Sequence, residues 1–167
     1  GGGTRYSGAE DVVAKFALEH CIPITETIAG KSSVPHDHPA YAGPIGIVGS
    51  TSANALASEA DVIVAIGTRL MDFTTGSWTL FNHDAKFISI NAARWDATKH
   101  RALAVVGDAK ESVEELVTGL KGWRADATWT AKAKTLMAEW NAALDGYQKP
   151  TNAPVPTYAQ VVGVVNA

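Results

Sequence analysis

An arginine placed just after a buried-type strand is the sharpest chemical feature of this 167-residue sequence. Val62-Ile63-Val64-Ala65-Ile66 is a β-branched run, Gly67 ends it, and Thr68-Arg69 follow where the chain would leave a sheet. In open α/β sheets ligands sit beyond the carboxyl ends of the strands, where a guanidinium fork suits a phosphate or a carboxylate. The same arginine could instead pair with Asp72 or another nearby carboxylate. Gly43, Gly46 and Gly49 recur every third residue ahead of a capped helix, where bare backbone can approach a ligand or simply serve turns.

Other motifs are incomplete. A dinucleotide fingerprint starting at Gly1 needs glycine where Tyr6 stands, although Glu26 sits about where a ribose-binding acid would follow. Gly30-Lys31-Ser32 copies the end of a phosphate-binding loop, but Thr25 occupies the position of its first glycine, which favours a turn with a solvated lysine. His36-Asp37-His38 lacks a third ligand at a recognisable spacing, so no metal site is expected. Trp78, Trp95, Trp123, Trp129 and Trp140 have no basic surroundings and are read as packing residues. No nucleophile–base–acid constellation can be assembled, so the chain reads as a scaffold or binding domain.

Composition narrows the class further. A net charge of -3 provides no basic footprint for nucleic acid and no polybasic signal for membrane. Cys21 is the single cysteine, so neither an internal disulfide nor a cysteine zinc site can form, which fits a reducing, cytoplasmic compartment. No apolar run approaches the roughly 20 residues of a membrane span, and the N-terminus has no signal-peptide pattern.

The elements that must position Arg69 alternate. Gly1 to Gly3 read as a turn that an α/β fold would place after a strand, so the first strand is expected to be missing from a chain that starts inside a longer parent, with an expression scar at the three glycines as the alternative. A helix is predicted from Gly8 to His20, a short strand over Ile22 to Thr25, and a long loop from Gly30 to Gly49, a candidate for domain contact. Ser50 or Thr51 caps the helix before the central strand, and a short helix is predicted over Thr74 to Phe81. Strands over Lys86 to Ile90 and Ala104 to Val106 follow, then Asp108 caps a helix running to Lys121. Strand–helix alternation predicts an α/β fold with a doubly wound parallel sheet. Residues 126–147 carry a long Ala-rich helix, 149–156 read as a linker, and Thr157 caps a last apolar helix. The expected organisation is a central domain over 1–148, the linker, and the start of a further domain at 157–167.

The run GPIGIVGSTSANALASEADVIVAIGTRLMDFTTGSW resembles the middle domain of thiamine-diphosphate-dependent enzymes of the acetolactate synthase type. The shared features are a glycine-spaced loop, an Ala-Asn pair, Ala-Asp before the central strand and Gly-x-Arg after it. FISINAARWDATKHRALAVVGDAKESVEEL is similar to that family's next strand, its loop and its strand-to-helix turn, so the resemblance covers Gly1 to about Leu120. PTYAQVVGVVNA resembles the beginning of the family's C-terminal cofactor domain. Within the family, TETIAGKSS, GTRLMDFTTGSW and FISINAARWDATKH are closest to the branch that acts in myo-inositol breakdown.

The resemblance implies a Rossmann-like domain in a parent enzyme that hydrolyses a carbon–carbon bond of a cyclic 1,2-dione with thiamine diphosphate and magnesium. The family's activating glutamate and its Gly-Asp-Gly motif lie in flanking N- and C-terminal catalytic domains, so no catalytic residue carries over. Those flanking domains and further copies of the chain are the implied partners. Some middle domains bind FAD or ADP, and that alternative places Arg69, Thr68, Gly46, Gly49 and Asn91 around a nucleotide. Asn91 stands where those members have an acid.

Overall fold

The computed structural model describes residues 1–167. Helices α1 (Gly2–Tyr6) and α2 (Glu10–Glu19) precede strand β1 (Ile24–Glu26), and β2 (Tyr41–Pro44) leads into α3 (Thr51–Glu59). Then come β3 (Val62–Ile66), α4 (Asp72–Thr75), β4 (Lys86–Asn91), α5 (Arg94–Ala97), β5 (Leu103–Val106) and α6 (Ala109–Gly119). The long α7 (Ala127–Gln148) and α8 (Tyr158–Asn166) close the chain. Every strand pairing is parallel, as the strand–helix alternation predicts, but the strands fall into two sheets, β1–β2 and β3–β4–β5.

Both faces of the larger sheet are covered, which is why β3 reads as an unbroken apolar run. Ala65 and Phe87 point to one face, where they meet Ile45, Ala53 and Ala57. Val64, Ile66 and Ile90 point to the other, against Val13 and Phe16 of α2 and Val113 of α6. Helix α7 packs through Ala133 onto Leu56 of α3 and Ala42 of β2, flanked by Trp129 and Leu136. The N-caps foreseen in the sequence form: Ser50 accepts from the Ala53 amide, Asp108 from Lys110 and Glu111, and Thr157 makes a reciprocal capping box with Gln160. Gln160 also donates to Lys149 O at 2.9 Å, so 149–157 doubles back and lays α8 against α7. No helix is long and apolar enough to cross a membrane.

Three local expectations are corrected. Gly2–Tyr6 is a short helix, not a turn, because Gly3 N donates to Gly67 O at 2.9 Å and the backbones pack too closely for side chains. The stretch from Gly30 to Gly49 contains β2, which pairs with β1 through Ile24 N to Ala40 O at 2.7 Å and Ile45 N to Glu26 O at 2.9 Å. Tyr41-Ala42-Gly43-Pro44 has poor strand propensity, so only its buried tertiary position makes it a strand. The helix expected over Thr74 to Phe81 is displaced to Asp72–Thr75, since Gly76 turns left-handed (φ 55°) and stops it.

Candidate functional site

The carboxyl ends of β2, β3 and β4 bring their following loops together, and all five candidate residues lie on that rim. Asn91 is the clasp: its Nδ2 donates to Thr68 O at 3.0 Å, and its Oδ1 accepts from Ala93 N at 3.0 Å. Thr68 spends its hydroxyl on the Leu70 amide at 3.3 Å, holding the turn in which Leu70 adopts φ 47°. Arg69 is 70% exposed, with Nε 3.8 Å from Asp96 Oδ2, while Lys99 Nζ lies 2.5 Å from the other oxygen. Its carboxylate partner is therefore Asp96 on α5 rather than Asp72.

Gly46 and Gly49 are engaged inside their own loop. Gly46 N donates to Asn54 Oδ1 and Gly46 O accepts from Asn54 Nδ2, both at 3.0 Å. At φ 121°, a Cβ on Gly46 would lie 2.3 Å from Phe73 O, so the loop after β2 rests directly on the α4 turn. The adjacent Ile47 N donates to that same oxygen at 2.9 Å. Gly49 N donates to Gly46 O at 3.0 Å, and a Cβ there would meet Pro44 O at 2.5 Å. Asn54 is the residue that motif reasoning passed over. Its signal was the Ala-Asn pair, one turn into a capped helix and eight residues after Gly46.

The remaining motifs dissolve into packing. The Glu26 carboxylate is buried, accepts from Val34 N at 3.0 Å, and pairs with Lys31 Nζ at 3.4 Å. Lys31 also donates to Tyr41 Oη at 3.1 Å, and that bond is the main cause raising the lysine pKa above its ordinary value. Burial in turn raises the Tyr41 phenol. Lys31 thus lies in a turn with its side chain 56% exposed, as expected, while its ammonium bridges Glu26 of β1 and Tyr41 of β2. His38 Nδ1 accepts from Ala40 N at 3.2 Å, and no three His, Cys, Asp or Glu side chains gather as a metal would need. Trp78 meets His100 with ring centroids 3.7 Å apart and planes tilted by 42°, and packs on Phe81 and Phe87, whereas Trp95 is 77% exposed and is not a packing residue. Burial lowers the His100 pKa, with Lys99 adding to the effect and Asp72 opposing it.

A nucleotide needs amide donors and a cation. The rim offers the cation Arg69, but the Gly46 and Gly49 amides are already committed to Asn54 and Gly46 O. Diphosphate held through magnesium needs a cluster of oxygen ligands, and the rim carries none.

Residues 1–116 match the model of the thiamine pyrophosphate enzyme central domain. The chain belongs to that family. Among its relatives is 3D-(3,5/4)-trihydroxycyclohexane-1,2-dione hydrolase of Clostridium botulinum, 47% identical over 117 residues, or 70% of this chain and 18% of the relative. A Bacillus cereus protein named 3D-(3,5/4)-trihydroxycyclohexane-1,2-dione hydrolase 2 is 39% identical over 86% of this chain and 22% of its own length. The hydrolase of that name from Clostridium perfringens is 39% identical over 84% of this chain and 22% of its own. The chain thus spans about a fifth of the length of the curated relatives it matches. This thiamine pyrophosphate central domain corresponds to the α/β unit up to α6, with α7 and α8 beyond the matched span.

Proposed function

We propose that this chain is the non-catalytic central domain of a thiamine-diphosphate-dependent hydrolase that cleaves a carbon–carbon bond of a cyclic 1,2-dione in myo-inositol catabolism. The observation that carries the reading is identity of 39–47% across most of the chain to hydrolases named for such a dione. When bound in the parent, thiamine diphosphate supplies an electron sink for the carbanion left by bond cleavage. Magnesium and the cofactor belong to flanking N- and C-terminal domains in this reading, with 149–156 as the linker to the latter.

The domain's own residues do structural work. Asn91, Thr68, Asn54, Gly46 and Gly49 lock the loops at the carboxyl ends of the strands into one rigid rim. Arg69 stands on that rim with its guanidinium outward, suited to a carboxylate on a neighbouring domain. The test is an assay of the full-length parent on 3D-(3,5/4)-trihydroxycyclohexane-1,2-dione with thiamine diphosphate and magnesium. Dione consumption that requires both cofactors is expected; turnover of pyruvate with no activity on the dione would overturn the reading.

A further inference from the structure

Four rings meet at the end of the larger sheet opposite the rim. The Trp78 indole lies 5.5 Å from the Phe81 ring and 5.3 Å from that of Phe87, centroid to centroid, and the two phenylalanines meet edge-on at 5.0 Å. His100 approaches the same indole to 3.7 Å. Phe81 and Phe87 are buried in the core around Ala65, so the floor they form is fixed. A cavity of about 500 Å³ opens on it at the amino ends of β4 and β5, where Lys86 and Leu103 begin their strands. We propose that this cavity is a binding site for a small aromatic carboxylate, with its ring against Trp78 and its charge between Arg101 and Lys86.

The lining selects an anion. Lys86, Arg101, His83 and His100 all contribute to it and no carboxylate does, although the chain as a whole carries a net charge of -3. Asp72, whose charge reaches His100, stands outside the lining. Every ion pair in the chain uses Lys15, Lys31, Arg69, Lys99 or Lys132 as its cation. Lys86 and Arg101 therefore have no carboxylate in reach, unlike Arg69 on the rim. A guanidinium takes a carboxylate through two parallel bonds, and an ammonium beside it adds a point charge. Phosphate sites are commonly built on the amides of glycine loops or helix starts, and no glycine lines this cavity. The aromatic floor supplies the contact for a ring, and the volume suits a small molecule.

The backbone gives an independent sign. Ser77 and Trp78 have φ of 52° and 68°, and His100 and Arg101 have φ of 60° and 57°. Residues with a Cβ enter that left-handed region at a cost, and such residues cluster at ligand clamps and active sites. Here two strained pairs from separate loops meet at one cavity, through the contact of Trp78 with His100. The site lies at the amino ends of the strands, away from Arg69 and Asn91, and the inference is independent of the dione chemistry.

The experiment titrates naphthoate into the chain and follows its amide and indole N–H signals by NMR, beside naphthamide as the uncharged analogue and inorganic phosphate as the bare anion. Naphthoate is expected to shift the Trp78 indole and the amides of Phe87, His100 and Arg101 saturably. Naphthamide should bind at least tenfold more weakly. Arg101→Gln and Lys86→Gln should each weaken naphthoate binding about tenfold, and both side chains are exposed, so the fold is retained. No shift at millimolar naphthoate would overturn the proposal, as would unchanged affinity in both variants or equal binding of naphthamide. Shifts confined to the open apolar trough between β1 and β3, at Ile24, Val62 and Val64, would also overturn it. Phosphate that shifts the same signals as tightly as naphthoate would overturn the assigned ligand.

Discussion

The rim at the carboxyl ends of the strands and the trough between β1 and β3 are neighbours built on opposite principles. On the rim, polar groups are paired within the chain: Asn91 with Thr68 and Ala93, and Asn54 with both sides of Gly46. In the trough, strand edges face open space, and one of their acceptors, Ile66 O, is met by a chain-terminal amine. A satisfied rim behaves as a rigid platform. Sequence signals of ligand binding fell on the first region, whereas the unfilled hydrogen-bonding capacity lies in the second.

Breaking the rim at its tightest point has the largest expected effect. Gly46→Ala forces a Cβ to within 2.3 Å of Phe73 O at φ 121°, and a loss of about 3 kcal/mol in urea unfolding is expected. A wild-type midpoint would show that the two loops can separate freely.

The trough is probed by its amine. Burial lowers the Gly1 ammonium from 8.0 to about 6, with the Glu26 charge opposing. Between those values the unfolded chain binds a proton that the folded chain does not, so stability rises as pH increases from 6 to 8. The rise should be about 2 kcal/mol, and the penalty is fully present below about pH 6. Acetylation of the amine should flatten this segment of the profile when denaturation midpoints are compared across pH. A rise that persists after acetylation would assign it to another group.

Asn91→Ala removes the clasp between the ends of β3 and β4, leaving Thr68 O and Ala93 N without their partner. A loss of about 1 kcal/mol is expected by chemical denaturation. Arg69→Ala should cost under about 0.5 kcal/mol, because the side chain is exposed and its ion pair is long. Titrating ADP and FAD calorimetrically into both the wild-type and Arg69→Ala proteins sharpens the comparison. No heat at millimolar ligand fits a platform, and saturable binding lost in the variant would make the rim a nucleotide site.

Much of the fold was legible because its causes are local. β3 and β4 are buried on both faces, so Val62 to Ile66 and Lys86 to Ile90 carry their own signature. Ser50, Asp108 and Thr157 announced their helices because a cap bonds amides two or three residues away. β2 was hidden, since Gly43 and Pro44 argue against a strand and only its neighbours β1 and α7 overrule them. The rim was half legible: Arg69, Thr68 and Asn91 stand where strand ends predict, but the pairing of Arg69 with Asp96 of α5 and of Gly46 with Asn54 of α3 is set by how those elements meet.

Taken alone, the sequence determined the α/β class, the helix caps, the central strands and, through GTRLMDFTTGSW and its companions, the family. Those are properties of short windows, in which side-chain period and local hydrogen bonds suffice. Tertiary structure alone decided that the Gly46 and Gly49 amides turn inward, that Glu26 and Lys31 brace β1 against β2, and that the strands divide into two sheets with an apolar trough between them. Each of these depends on which backbone groups remain unpaired after distant segments meet, a balance that no local stretch of sequence records.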